Sequence, residues 1–157
     1  MSSGELEGRQ NAEITTIAVR YLSNREYSRR ELRSKLLVKQ FTLKDINTAL
    51  DSLAEKGYQS DERFAEMFLT SRVSRGNGPF KIKIELSQRG IAETVIEQLF
   101  DNSAIDWLEQ ARKLRQKKFG MQLPKDIKSL SKQVRYLRNK GFCQQHVDAA
   151  LSASTVI

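Results

Sequence analysis

A pattern of apolar positions recurs three times along the chain. Leu36, Phe41, Ile46 and Leu50 are followed 50 residues on by Leu86, Ile91, Ile96 and Phe100, and a further 51 residues on by Leu137, Phe142, Val147 and Leu151. The internal spacing is 5, 5 and 4 in each copy, and all twelve positions are apolar. Self-similarity at such a period marks a repeat architecture, in which stacked units bury a continuous core. Within a copy, the first leucine closes one helix, the second residue sits in a tight turn, and the last two lie one turn apart on the next helix. A further amphipathic helix precedes each copy, carrying Ala18, Tyr21 and Leu22, then Ala65, Phe68 and Leu69, then Ala111 and Leu114. From that alanine to the frame leucine the distance grows from 18 to 21 to 26 residues, so the first connection is expected to lengthen along the chain.

Local signals agree with this frame. Ser28-Arg-Arg-Glu31 forms a capping box that opens the second helix of the first repeat, and Thr42-Leu-Lys-Asp45 is a weaker version opening the third. Gly90 and Gly141 stand immediately before the turn residues Ile91 and Phe142, as expected after a helix C-terminus. The first copy has Gln40 there and must close its helix less comfortably. Gly78-Pro79 supplies a stop and then a proline suited to a first helical turn. The stretch Phe80–Leu86 alternates strictly and could be a strand, but its counterparts around Leu32 and Val134 look helical, so a helix is expected. The expected organisation is all-α: a flexible tail over residues 1–13 and helical repeats over 14–58, 59–100 and 101–157.

Composition narrows the function classes. A net charge of +8 predicts attraction to a polyanion or an acidic protein surface. The excess lies toward the ends of the repeat array: residues 17–58 carry nine basic against five acidic side chains, residues 59–100 six of each, and residues 101–157 eleven against five. One cysteine, Cys143, excludes an intramolecular disulfide and fits a reducing cytoplasm. No apolar stretch approaches the roughly 20 residues that span a bilayer, and the N-terminus has neither the basic nor the apolar segment of a secretory signal.

Nothing in the pattern points to catalysis or to a cofactor. The single histidine, His146, stands three residues after Cys143, and two ligands do not make a zinc site. A surface histidine beside a half-buried cysteine is the expected arrangement. Asp61 with Glu62, and Glu93 with Glu97, fall at helix starts or at helical surface spacing, where they favour the macrodipole or pair with lysines. Gly76-Asn77-Gly78 lacks the Lys-Ser/Thr of a phosphate loop. Phe64, Ala65, Phe68 and Leu69 form an apolar core stripe. Around the following turn stand Arg72, Arg75, Lys81, Lys83 and Arg89, which can be a solvated rim or an edge that meets carboxylates or phosphates.

The segment Asp61–Ile91 resembles the most characteristic stretch of the RecX family, regulatory proteins of the bacterial recombinase RecA. The matching residues are Asp61, Glu62, Arg63, Phe64, Ala65, Ser71, Arg72, Gly76, Gly78, Pro79, Lys81, Ile82, Glu85, Leu86, Arg89, Gly90 and Ile91. Ser28–Leu36, Leu53–Tyr58, Lys117–Gly120 with Leu123-Pro124, and Tyr136–Phe142 fit the same family, so the resemblance covers about residues 14–151. Gln40 and Phe80 depart from its pattern. The resemblance implies an elongated, curved array of three wingless helix-turn-helix-like units. It also implies a non-enzymatic modulator that binds the RecA–single-stranded DNA filament along its groove and inhibits its ATPase, strand-exchange and co-protease activities.

Candidate contacts are then Arg63, Arg72, Arg75, Lys81, Lys83 and Arg89, with Arg29, Arg30, Arg33, Lys132, Arg135 and Arg138 as further basic positions. Weak non-specific DNA binding, a monomeric state and no membrane association are expected. The alternative is a helix-turn-helix DNA-binding protein. Against it, the expected third helices around Asp45–Leu53 and Glu93–Leu99 are neutral to acidic and poorly suited to a major groove.

Overall fold

A computed structural model describes residues 2–152. Among the described residues there are nine α-helices and no strand: α1 Ser3–Asn24, α2 Arg29–Val38, α3 Leu43–Glu55, α4 Asp61–Ser74, α5 Pro79–Gln88, α6 Glu93–Asn102, α7 Trp107–Phe119, α8 Ile127–Asn139 and α9 Gln144–Leu151. The alternating stretch Phe80–Leu86 lies within α5. The proline that opens α5 costs no hydrogen bond, because the first N–H of a helix has no partner inside it. Nine of the twelve frame positions are buried; Phe41, Phe100 and Leu151 are partly so.

Packing gathers the chain into two compact units, one of residues up to Phe68 with Leu86–Asp101, the other of Leu69–Glu85 with residues from Asn102 onward. In the first, α1 and α2 pack on α3 around Ile14, Ala18, Tyr27, Leu32, Leu36, Ile46, Ala49, Leu50 and Leu53. Removing each of the larger side chains from water stabilises this core by about 1.5–3 kcal/mol. In the second, α7 packs most extensively on α9, with α8 against both, around Ala111, Leu137, Phe142, Val147 and Ala150. That unit also holds a buried cation, Arg115, only 1% exposed. Its guanidinium donates to the carbonyl of Ala150 at 2.8 Å, to that of Gln122 at 3.3 Å and to the side chain of Gln133 at 3.4 Å.

Two expectations are corrected. Residues 3–13, expected as a tail, are helical: Ser2 and Glu5 form a reciprocal capping box, and no proline interrupts the stretch before Ile14. The first connection does not lengthen steadily. It is four residues in the first repeat (25–28) and four in the second (75–78), where α4 itself runs on further; only the third, 120–126, is longer.

The turn after each second helix explains the glycines. Gly90 has φ 83° and Gly141 φ 101°, conformations that cost an L residue about 1–2 kcal/mol. Each is also pressed by the preceding repeat. A Cβ on Gly90 would stand 2.7 Å from the Cβ of Arg30, and one on Gly141 would stand 2.7 Å from the backbone nitrogen of Lys81. The loop of one repeat is tied to the turn of the next at equivalent places. Ser28 Oγ donates to the Arg89 carbonyl at 2.9 Å, Gly78 N–H donates to the Lys140 carbonyl at 2.6 Å, and Phe80 N–H donates to the Gly141 carbonyl at 3.0 Å. Gln40, at the matching place in the first repeat, has φ 70° and is exposed. It carries the backbone strain with its side chain in water.

At the start of α9 the Cys143 N–H donates to His146 Nδ1 at 3.4 Å, with the Cys143 thiol sulfur 3.3 Å from the same nitrogen. Cys143 is exposed and His146 partly buried, the reverse of the expected arrangement, because the imidazole folds back as a cap and stacks edge-on against Phe142 at 5.9 Å. Burial holds the imidazole below its ordinary pKa.

Two outcomes follow from these turns. Gln40→Gly is expected to raise stability by about 0.5–1 kcal/mol, seen as a Tm increase of a few degrees by calorimetry, since relief of strain exceeds the added chain entropy. Gly141→Ala should lower it by more than that, because strain and overlap act together. For His146, the unfolded chain takes up a proton near its ordinary pKa of about 6.5 while the folded chain resists. Stability supplied by the neutral ring is therefore present above that pH and lost as pH falls below it. A denaturant midpoint measured from pH 7.5 to 5.5 should fall more steeply for the wild type than for His146→Gln; parallel curves would show that the ring titrates alike in both states.

Candidate functional site

Of the carboxylates that spacing singled out, Asp61 is engaged with a helix end. Asp61 Oδ1 accepts from the Arg29 N–H at 2.9 Å and from Gln59 Nε2 at 3.0 Å, so it caps the first turn of α2 from the start of α4. Glu93 and Glu97 are exposed on α6. Among the described residues, no three His, Cys, Asp or Glu side chains gather as a metal-binding group. The features left to carry function are the cations.

In the first unit, several of these cations are tied to acids of the same unit. Arg63 Nε lies 2.9 Å from Glu26 Oε1, and its other end donates to the Tyr58 carbonyl at 3.1 Å. Arg29 pairs with Asp51 at 2.6 Å and donates to the Asn47 carbonyl at 3.4 Å. Arg89 stands 3.7 Å from Glu31, with its guanidinium carbon 4.6 Å from the centre of the Phe68 ring. Arg30 is exposed with its stem against Gly90, and Arg33 is half-buried on α2. The turn cluster read from the sequence is thus divided, since Arg89 belongs to the first unit and Arg72, Arg75, Lys81 and Lys83 to the second.

In the second unit, Arg72 Nε is bound to Glu85 Oε2 at 2.9 Å, with side chains only 18% and 24% exposed. Its carbonyl accepts from both the backbone and the side chain of Asn77, which closes α4 before Gly78. Lys83 is exposed on α5. Arg75 is exposed, and its carbonyl accepts from Lys140 Nζ at 3.3 Å. Lys140 caps the C-terminus of α8, and the Gly78 and Phe80 hydrogen bonds hold that turn against the start of α5. Lys81 lies against Gly141. Burial, and then the positive charge of Lys81, lower the Lys140 ammonium below its ordinary pKa. Lys140 was not singled out by spacing; only the closed turn puts it beside Lys81.

A second basic surface runs along α8. Lys132, Arg135 and Arg138 are exposed there, and Arg138 also reaches Gln144 at 3.2 Å. Leu130, Ser131, Val134, Arg135, Arg138 and Asn139 line a shallow groove of about 540 Å³ on this helix. The arrangement offers arginines paired with acids of the fold and exposed cations, Arg75 and Lys83 on either side of the start of α5 and Lys132, Arg135 and Arg138 along α8. Such cations can hold carboxylates or phosphates.

Known proteins supply the context for these surfaces. The three RecX three-helix domain models match residues 16–53, 60–99 and 104–151. The regulatory protein RecX of Halorhodospira halophila is 39% identical over 147 residues, covering 94% of this chain and 91% of its own. Those of Acidithiobacillus ferrooxidans (36%, 92% of each chain) and Pseudomonas putida (38%, 88% and 89%) are similar. The crystal structure of RecX from Lactobacillus salivarius superposes with a TM-score of 0.77 at 20% identity, covering 91% of this chain and 95% of that one, and another RecX crystal structure with 0.79 at 19%, covering 96% and 77%. With three domain models in tandem and relatives matched over nearly their whole length, the chain belongs to the RecX family of regulatory proteins.

Proposed function

We propose that this chain is a negative modulator of the recombinase RecA. It binds the RecA–single-stranded DNA filament along its groove and inhibits ATP hydrolysis, strand exchange and co-protease activity, acting as a cytoplasmic monomer without a cofactor. The observation that carries the reading is family membership across all three repeats. The charge distribution supports it. Exposed cations at Arg75, Lys132, Arg135 and Arg138 suit a surface of acidic side chains and phosphates. Several modest contacts on one chain also outlast any one of them through tethering.

The helix-turn-helix alternative is disfavoured by where the cations sit. In such a domain the third helix reads the major groove. Here α3, α6 and α9 carry little positive charge, whereas Lys128, Lys132, Arg135 and Arg138 all lie on α8, a second helix.

The purified chain should slow DNA-dependent ATP hydrolysis by RecA at substoichiometric ratios. Titrations at two salt concentrations would separate packing from phosphate contacts, because the phosphate part weakens steeply with salt. Inhibition that disappears once single-stranded DNA is in excess would instead mean simple competition for the strand, and would overturn the reading. The two arginines should behave differently. Arg75→Glu is expected to raise the half-inhibitory concentration about fivefold or more with an unchanged helical circular dichroism spectrum. Arg72→Glu places a second carboxylate beside Glu85 and should cost about 2 kcal/mol of stability, several degrees in Tm. Full inhibition by Arg75→Glu would make this edge a solvated rim.

A further inference from the structure

The start of α5 combines features that neither an apolar core nor a solvated rim requires. Phe80 is 66% exposed in the first turn, and one turn on Ile84 is 47% exposed. The Phe80 backbone is fixed by its N–H bond to the Gly141 carbonyl at 3.0 Å, so the ring stands on a rigid base. The same contact brings Lys81 against Gly141 and next to Lys140, whose Nζ is in turn 3.3 Å from the Arg75 carbonyl. Among the described residues, no carboxylate forms an ion pair with Arg75, Lys81 or Lys140. The nearby Glu85 is taken by Arg72. Like charges held side by side repel; burial and then the charge of Lys81 lower the Lys140 pKa, and an anion between the two cations would relieve the repulsive part of that cost.

An exposed aromatic ring on the same junction as Lys81, Lys140 and Arg75 calls for a particular chemistry. An acidic peptide would satisfy the cations and leave the ring in water. A duplex would present phosphates, but its bases are stacked away. A single strand satisfies both, because every unpaired base has a face for stacking and a phosphate beside it.

We propose that Phe80 with Arg75, Lys81 and Lys140 forms a subsite for single-stranded nucleic acid, the Phe80 ring stacking on one base and the cations holding the adjoining phosphates. This deepens the filament reading and rests on it only for the source of the strand. Lys83 and Ile84, on the next turn of α5, extend the same edge.

Binding of a fluorescently labelled oligo-dT by the full chain, followed by anisotropy at several salt concentrations without RecA, tests the assignment. Phe80→Ala is expected to weaken binding by about 5- to 100-fold with the salt dependence retained, since stacking releases no counterions. Phe80→Trp should restore binding and Phe80→Leu should not. The double variant Lys81→Ala/Lys140→Ala should reduce the slope of log affinity against log salt by about 1. Binding of a duplex of equal length should change less than twofold in Phe80→Ala. Because Phe80 is exposed, an unchanged Tm is expected for each of its variants.

Oligo-dT affinity unaltered by Phe80→Ala, or an equal loss for the duplex, would overturn the subsite. So would unchanged oligo-dT binding by both sets of variants alongside lost RecA inhibition, which would assign this edge to a protein surface. If the oligo-dT results hold while the wild-type chain fails to inhibit RecA, the subsite stands and the filament reading falls.

Discussion

The turn that follows each second helix must admit the loop of the repeat before it, and much of the molecule answers to that constraint. At Gly90 and Gly141 the backbone takes a positive φ while the stem of Arg30 or the backbone of Lys81 lies where a Cβ would be. Glycine is therefore required twice over, once by conformation and once by space. Gln40 is exposed, so only the conformational requirement applies there, at a cost of about 1–2 kcal/mol. An exposed turn can thus carry Gln40, whereas the pressed turns require Gly90 and Gly141. The two junctions are tied by different chemistry at the same place, with the Ser28 hydroxyl in one and the Gly78 and Phe80 N–H groups in the other. A backbone tie lets the chains approach more closely, and it is this tie that sets Lys81 beside Lys140.

The same junctions sort the arginines. Where acids stand close, Glu26 in the first loop, Glu31 on α2 and Asp51 on α3, the neighbouring Arg63, Arg89 and Arg29 are tied to the fold. These pairs are largely exposed and worth little individually, roughly 0–1 kcal/mol each. Their larger effect is to fix side chains and to remove charge from the surface available to a partner. At the Gly78–Gly141 junction, among the described residues, no carboxylate pairs with Arg75, Lys81 or Lys140. A net charge of +8 therefore understates the contrast between regions, since much of the chain's charge is already neutralised within the fold.

The frame of apolar residues was legible in the sequence because helical burial imposes a strict period, and Leu36, Leu86 and Leu137 are each fully buried. Caps at Ser28 and Thr42 were legible because the required oxygen and its N–H partner are three residues apart. The middle motif was legible as a family pattern, and within it Gly78, Pro79 and Gly90 each have a physical reason. The helix over residues 3–13 was missed because those residues bury almost nothing, so no apolar stripe announces them; only the Ser2 and Glu5 box does. The division of the basic cluster was also out of reach. Arg72 in the last turn of α4 and Arg75 just past its end are three residues apart, yet one has Glu85 as a partner and the other faces water. That difference depends on where α5 lies, and spacing along α4 says nothing about it.

Arg115 shows how the third repeat carries its longer connection. An arginine just 1% exposed should be costly, and burial does lower its pKa, yet its donors meet only neutral acceptors. Two of these are the clue. The Gln122 carbonyl belongs to the seven-residue segment between α7 and α8, and the Ala150 carbonyl belongs to the last turn of α9. The end of a helix carries partial negative charge on its unpaired carbonyls, so a cation there is favourable without a carboxylate. A carboxylate in its place would bind one donor pair tightly and leave the loop free. Neutral carbonyls let one side chain hold the loop, α8 through Gln133, and the end of α9 together. The first two repeats, with four-residue connections, close without such a device. In the third, the buried cation does for a long loop what the glycine contact does for a short one: it converts a connection that would otherwise fray into part of the core.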